Sequence, residues 1–394
     1  RLDRVAPPTV GTSVGGPFGT QVSGGVGFFF SDMLGNRNLT VIAQANGTFK
    51  DIGGQVSYLD RGDRLNYGGS VSHIPYLFGF VQQGFNPNTG SIVIQQVLQR
   101  IYQSQATVMG AYPLTQTRRF ELTGGIIRYG YDFEVREFTR FGVRDRDLNQ
   151  LEPDPIYLAT TGLSYVGDFA NFGFVSPLQG GRYRFEVSPQ IGSEEYVSVR
   201  ADYRRYFFRE PWTLALRALH VGNYGADLQP ESPQQGFVLG REFLGDPYRQ
   251  GFIRGYGFNS IFDEECRFAN STSCSIIEQL YGTRIGLLSA ELRFPLFGTD
   301  ALGLINFPYL PTELLLFTDA GVAWTNEDLR AFSFTSDVDA NPNTSGSPSR
   351  PLVSTGIAAR FNLLGAFVFE MFYARPFQRK SVNWDFGVVI RPGW

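Results

Sequence analysis

Residues 383–394, NWDFGVVIRPGW, decide the fold. Trp384, Phe386, Val388, Ile390 and Trp394 share one parity, and Asn383, Asp385, Gly387, Arg391 and Gly393 share the other. A period of two is that of a β-strand, whose successive side chains point to opposite faces. One face of this segment suits an apolar medium and the other a polar interior.

The same alternation runs back through the chain. Residues 313–324 set Leu314, Leu316, Val322 and Trp324 against Glu313 and Asp319. Residues 289–296 set Ala290, Leu292, Phe294 and Leu296 against Glu291 and Arg293. Residues 182–188 set Tyr183, Phe185 and Val187 against Arg182, Arg184 and Glu186; in 197–203, valines and Tyr203 oppose Arg200 and Asp202. A half-exposed sheet of a soluble protein alternates too. Here the apolar parity is large and aromatic, the polar parity carries both signs of charge, and segments of about ten residues recur throughout, which is the pattern of a transmembrane β-barrel.

Composition agrees. Only 18% of the 394 residues are charged, against about 25% in soluble domains. A mean hydropathy of −0.14 is too polar for a helical membrane protein. No segment approaches the roughly 18 consecutive apolar residues of a membrane-spanning helix, and no basic, then apolar export signal stands at the start. A net charge of −3 gives no argument for nucleic acid. Cys266 and Cys274 lie in a polar loop sequence at a spacing that suits a local disulfide in an oxidising compartment; two free thiols are the alternative.

The periodicity predicts sixteen strands within 20–394, the first near 20–30 and the last near 382–392, with separate strands at 65–74 and 77–84. Residues 1–19, rich in Gly, Pro, Thr and Ser, read as a periplasmic linker. Short turns fall at 49–51, 114–118, 210–211 and 362–364, and long connections at 85–96, 132–155, 225–281 and 325–351. With both termini periplasmic, this count puts every long connection on the outer side, as bacterial barrels do.

Phe252-Ile253-Arg254-Gly255-Tyr256 resembles the arginine–glycine–aromatic motif of the sixth outer loop in the outer-membrane assembly-factor superfamily, the BamA/TamA-like bacterial surface antigen barrels. Three further stretches match in the right order. They are SAELRFPL at 289–296, FTDAGVAW at 317–324 and the terminal aromatic Trp394; SDMLGN at 31–36 resembles the first hairpin loop. The resemblance implies a barrel whose sixth loop folds into the lumen, with Ile253, Arg254, Gly255 and Tyr256 as the plug motif and Glu291 and Asp319 as its partners on the wall. Some members carry a disulfide in this loop, where Cys266 and Cys274 stand. The family's periplasmic domains are not in the sequence.

The resemblance further implies assembly or insertion of outer-membrane proteins by strand pairing at a seam between first and last strands. Pro392 lacks an amide proton and Gly393 is a weak strand former, so pairing near Trp394 is weak. Alternatives are a polypeptide secretion pore of the same superfamily and a structural barrel subunit of a larger complex. Expected partners are outer-membrane lipids including lipopolysaccharide, and unfolded outer-membrane proteins or periplasmic and lipoprotein partners, without nucleic acid. No enzyme, cofactor or metal is expected. Gly11-Thr12-Ser13-Val14-Gly15 fits a hydrolase elbow in letters, but that chemistry needs a following helix and a histidine base, and the chain has only His73 and His220.

Overall fold

The computed structural model describes residues 2–5, 9–13, 21–46, 49–85, 92–139, 142–147, 152–225, 242–245, 251–261, 264–265, 275–299, 303–325, 350–363, 367–379 and 381–391. The described chain is all-β: twenty strands join in one mainly antiparallel sheet and two more form a small pair. No described helix is long and apolar enough to cross a membrane. The chain divides into two compact units, the first built from residues 1–114, 120–163 and 188–195, the second from 115–119, 164–187 and 196–394.

The first unit opens with β1 (Leu2–Val5) and β2 (Thr9–Ser13), both antiparallel to β3 (Gln21–Ser31). Within the expected linker at 1–19, residues 2–5 and 9–13 are therefore strands, and 20–30 is not the first. Its Gly, Pro, Thr and Ser content hid this, because pairing along β3, not local propensity, makes it a strand. The ladder continues through β4 (Arg37–Asn46), β5 (Ile52–Asp60), β6 (Asn66–Phe85) and β7 (Ile92–Pro113). The two strands expected at 65–74 and 77–84 are one. β6 pairs with β7 in unbroken register from Asn66↔Ala111 to Phe85↔Ile92, and Pro75 sits opposite Tyr102 within it. Proline's φ fits an extended chain where its absent N–H is not needed by the ladder. Beyond lie β8 (Arg118–Thr139), its partner β9 (Gly142–Asp147) and β10 (Ile156–Asp168). At 20, 22 and 22 residues, β6, β7 and β8 are twice the roughly 9–11 residues that cross a hydrocarbon layer.

The second unit starts with the short β11 (Asn171–Phe172) against β12 (Pro177–Gly192), followed by β13 (Tyr196–Arg209) and β14 (Trp212–Gly225). β15 (Glu242–Phe243) and β16 (Tyr281–Gly282) form the small pair. The wall resumes with β17 (Arg284–Gly298), flanked by the two-residue β18 (Ile305–Asn306), then β19 (Thr312–Trp324), β20 (Leu352–Leu363), β21 (Phe367–Pro376) and β22 (Asp385–Arg391), each antiparallel to the last full strand. Alternation appears directly in exposure: Leu314 and Leu316 are 40% and 55% exposed, Leu315 and Phe317 only 3% and 2%. Strand alternation places connections 226–283, 325–351 and 377–384 at one end of this unit, and 169–176, 210–211 and 364–366 at the other.

Two apolar clusters fill the inner face. Leu244, Ile253, Tyr256, Ile261 and Leu280 of connection 226–283 pack on Leu219, Ile285, Leu287, Ala323 and Leu352 of the wall. Phe252 packs on Leu315, Phe317, Ala358, Phe372 and Ala374. The described residues of the connection between β14 and β17 thus dock on the inner face, held by the burial of large side chains worth about 1.5–3 kcal/mol each.

Candidate functional site

The residues at 252–256 are held in a tight turn. Ile253 N donates to Leu244 O at 3.0 Å, and Tyr256 N donates to Ile253 O at 3.2 Å. Gly255 sits at φ +88°, in the left-handed region that costs an L-residue strain, and a Cβ there would lie 3.1 Å from the Ala374 Cβ. Across the wall, Gly321 leaves the space that Ile253 fills: a Cβ on it would stand 2.5 Å from Ile253 Cδ1.

This turn aims Arg254 at the wall. Its Nε and Nη2 donate to the two oxygens of Asp319 at 2.7 and 2.8 Å, a forked contact. Nη1 lies 3.0 Å from Glu291 Oε1 and 3.3 Å from Glu370 Oε1. The guanidinium carbon stands 3.7 Å from the centre of the Phe317 ring. Ser289 Oγ donates to Asp319 at 2.6 Å. Burial by itself would lower the pKa of Arg254, but the charges of Asp319 and Glu291 outweigh it and raise it above its ordinary value.

The network runs on. Arg360 donates to Glu370 at 2.6 Å and, through both Nη groups, to Glu291 at 2.7 and 2.9 Å. Arg293 Nε donates to Glu291 at 2.8 Å, and its Nη1 to Ser176 Oγ at 3.0 Å. Ser176 Oγ lies 2.7 and 2.8 Å from the Glu313 oxygens. Three guanidinium groups (Arg254, Arg293, Arg360) thus meet four carboxylates (Glu291, Glu313, Asp319, Glu370), all buried. Such a set stabilises only while each lone pair and proton is matched; losing one member strands the rest in a poor solvent for charge.

A second connection clamps the first. Arg379, between β21 and β22, donates to Gly255 O at 2.8 Å, to Ser260 Oγ at 2.9 Å and to Glu265 at 2.7 Å. Tyr256 donates its hydroxyl proton to Gln378 Oε1 at 2.6 Å and accepts from Gln378 N at 3.1 Å. Ser260 donates to Asp385 of β22 at 2.6 Å.

The structure brings Arg254, Glu291 and Asp319 together, with Ile253, Gly255 and Tyr256 packed around them. Sequence reasoning put Glu313 on the polar parity without assigning it to the site, and missed Glu370, Ser176, Gln378 and Arg379. Glu370 had a signal, being the acid on the inner parity of a strand otherwise lined there by Val368, Phe372 and Ala374. Arg379 and Ser176, in connections, had none. Cys266, Cys274, Pro392, Gly393 and Trp394 lie outside the described residues. His73 bonds Ser104 and His220 bonds Tyr224, and no group of metal ligands occurs among the described residues. Ser13 lies within β2, not at a strand–helix elbow.

No family profile and no curated protein matches the sequence. Solved structures do. BamA from Haemophilus ducreyi, lacking POTRA domains 1–3, superimposes with a TM-score of 0.57 at 17% identity, over 97% of this chain and 68% of that one. CdiB from Acinetobacter baumannii does so with 0.51 at 14% identity, over 94% of this chain and 56% of that one. The chain therefore shares the fold of these BamA and CdiB structures.

Proposed function

We propose that this chain is the barrel of a bacterial outer-membrane assembly factor, with both termini periplasmic, which inserts unfolded outer-membrane proteins by pairing their strands with the edge of its own sheet. The observation that carries this reading is the docked connection 226–283. Its described residues dock on the inner face of the second unit through Arg254 and a buried ion network, so a client is better served at a strand edge than through an open conduit. The last described strand supports it. β22 pairs with β21 from Val368↔Arg391 to Ala374↔Asp385, and among the described residues Arg375 and Pro376 of β21 run on past its first residue, leaving backbone groups with which another chain can pair. The partners are membrane lipids, including lipopolysaccharide, and unfolded barrel proteins delivered by periplasmic or lipoprotein factors.

The test is reconstitution. Vesicles carrying the full protein should speed the folding of a urea-unfolded barrel protein, read by its heat-modifiable gel shift. A cysteine in β22 should cross-link to the client's terminal strand. Unchanged folding and no cross-link would defeat the proposal. A second reading, a polypeptide translocation pore, is favoured by one feature: the docked connection is latched by ion pairs, which can open and reclose. It predicts passage of an unfolded polypeptide into sealed vesicles.

A further inference from the structure

We propose that the outward face of the first unit binds an anionic phospholipid, with acyl chains in a groove across β4–β8, β10 and β12 and its phosphate at Arg128. This rests on the membrane reading above.

The groove measures about 1090 Å³. Ile42, Ile52, Val56, Val71, Ile126 and Ile191 wall it, and the small residues Gly54, Ala106 and Ala159 leave its floor low. Adjacent rungs of the ladder form this face: Val56 pairs with Val71, which pairs with Ala106; Gly54 pairs with His73, which pairs with Ser104. Val56, Val71 and Ile126 are exposed, so the groove faces outward.

Further along the same parity the chemistry reverses. Arg100 on β7 is buried and donates to Asp51 at 2.8 Å and to Asp132 and Glu134, on β8, at 2.9 Å each. Lys50 reaches Asp132 at 3.2 Å and Arg136 reaches Glu134 at 3.0 Å. The 3-10 turn Phe49–Asp51 supplies Lys50 and Asp51 to this cluster. One face therefore passes from bare apolar rows to a charged cluster, as a wall does at the edge of the hydrocarbon layer.

Arg128 stands at that boundary. It lies ten residues into β8, which starts at Arg118, about the length that crosses the hydrocarbon. It is exposed, and its Nε donates to the Tyr157 hydroxyl at 3.2 Å. Its guanidinium carbon stands 5.7 Å from the centre of the Tyr157 ring, and its Nη groups make no hydrogen bond or ion pair among the described residues. An occupant must be apolar at one end and anionic at the other, and an acidic phospholipid satisfies both.

The test is native mass spectrometry of the full protein after incubation with equal phosphatidylglycerol and phosphatidylcholine. The wild type should retain one phosphatidylglycerol with about fivefold preference, as expected for one arginine near a lipid surface. Arg128→Gln should abolish the preference, and Ala159→Phe should abolish retention while leaving heat-modifiable mobility unchanged. Equal retention of both lipids by wild type and Arg128→Gln, or unchanged retention by Ala159→Phe, would overturn the inference. A protein that enters vesicles but retains no lipid overturns this proposal alone. One that never enters vesicles overturns the membrane reading.

Discussion

Arg254 shows how much one side chain can hold. Its fork on Asp319 and its contacts with Glu291 and Glu370 are buried, so Arg254→Ala leaves three carboxylates short of a cation. We expect a loss of about 3–5 kcal/mol of barrel stability, the usual cost of breaking a buried pair, read as a lower midpoint in heat-modifiability gels. Arg254→Lys should recover only part, since an ammonium cannot form the fork. In a double-mutant cycle with Asp319→Asn the two losses should fall short of their sum by about 1 kcal/mol or more. Strict additivity would show that the pair does not interact. Gly255→Ala is the matching backbone test. The left-handed conformation costs an L-residue about 1–2 kcal/mol, and the added methyl meets Ala374 at 3.1 Å. A Gly255→Ala protein as heat-stable as the wild type would contradict this turn.

Connections at opposite ends of the second unit reach one charge network. Connection 226–283 brings Arg254 to Glu291, while 169–176 brings Ser176 to Arg293 and Glu313; Asn362 adds a bond to Phe174 O in the latter. Arg293 and Glu291 join the two. We therefore expect small, flickering conductance in planar bilayers, with longer openings in Arg254→Ala and in Ser176→Ala, and less than the sum of both effects in the double variant. Steady, large openings of the wild-type protein would mean that the connections do not close the inner face. Within connection 226–283, unreduced peptide mapping should find Cys266 linked to Cys274; two freely alkylated thiols would refute the bond.

At the scale of the molecule, orientation is the quantity to measure. In the second unit, connections 226–283 and 325–351 leave from one end of the strands and 210–211 and 364–366 from the other. Biotin tags placed in 325–351 should be reached by an impermeant reagent on intact cells, and tags at 210–211 only after the outer membrane is opened. The reverse result would invert the topology without disturbing the strand ladder.

Much of this was legible in the residues themselves. Alternation marked Glu291, Asp319, Leu314 and Leu316 with their faces, because the side-chain direction of a strand is a local property that any apolar or charged residue reports. The resemblance at 252–256 pointed to Arg254. Other features required the tertiary structure. Residues 2–5 and 9–13 are strands because β3 lies beside them, and β6 runs through Pro75 because β7 supplies its rungs. Glu370, Arg379 and Ser176 join the site because distant segments converge on it. Local alternation settled which face each residue of the periodic strands shows. Only the folded chain decided who its partner is, since pairing and register depend on contacts between residues far apart in sequence.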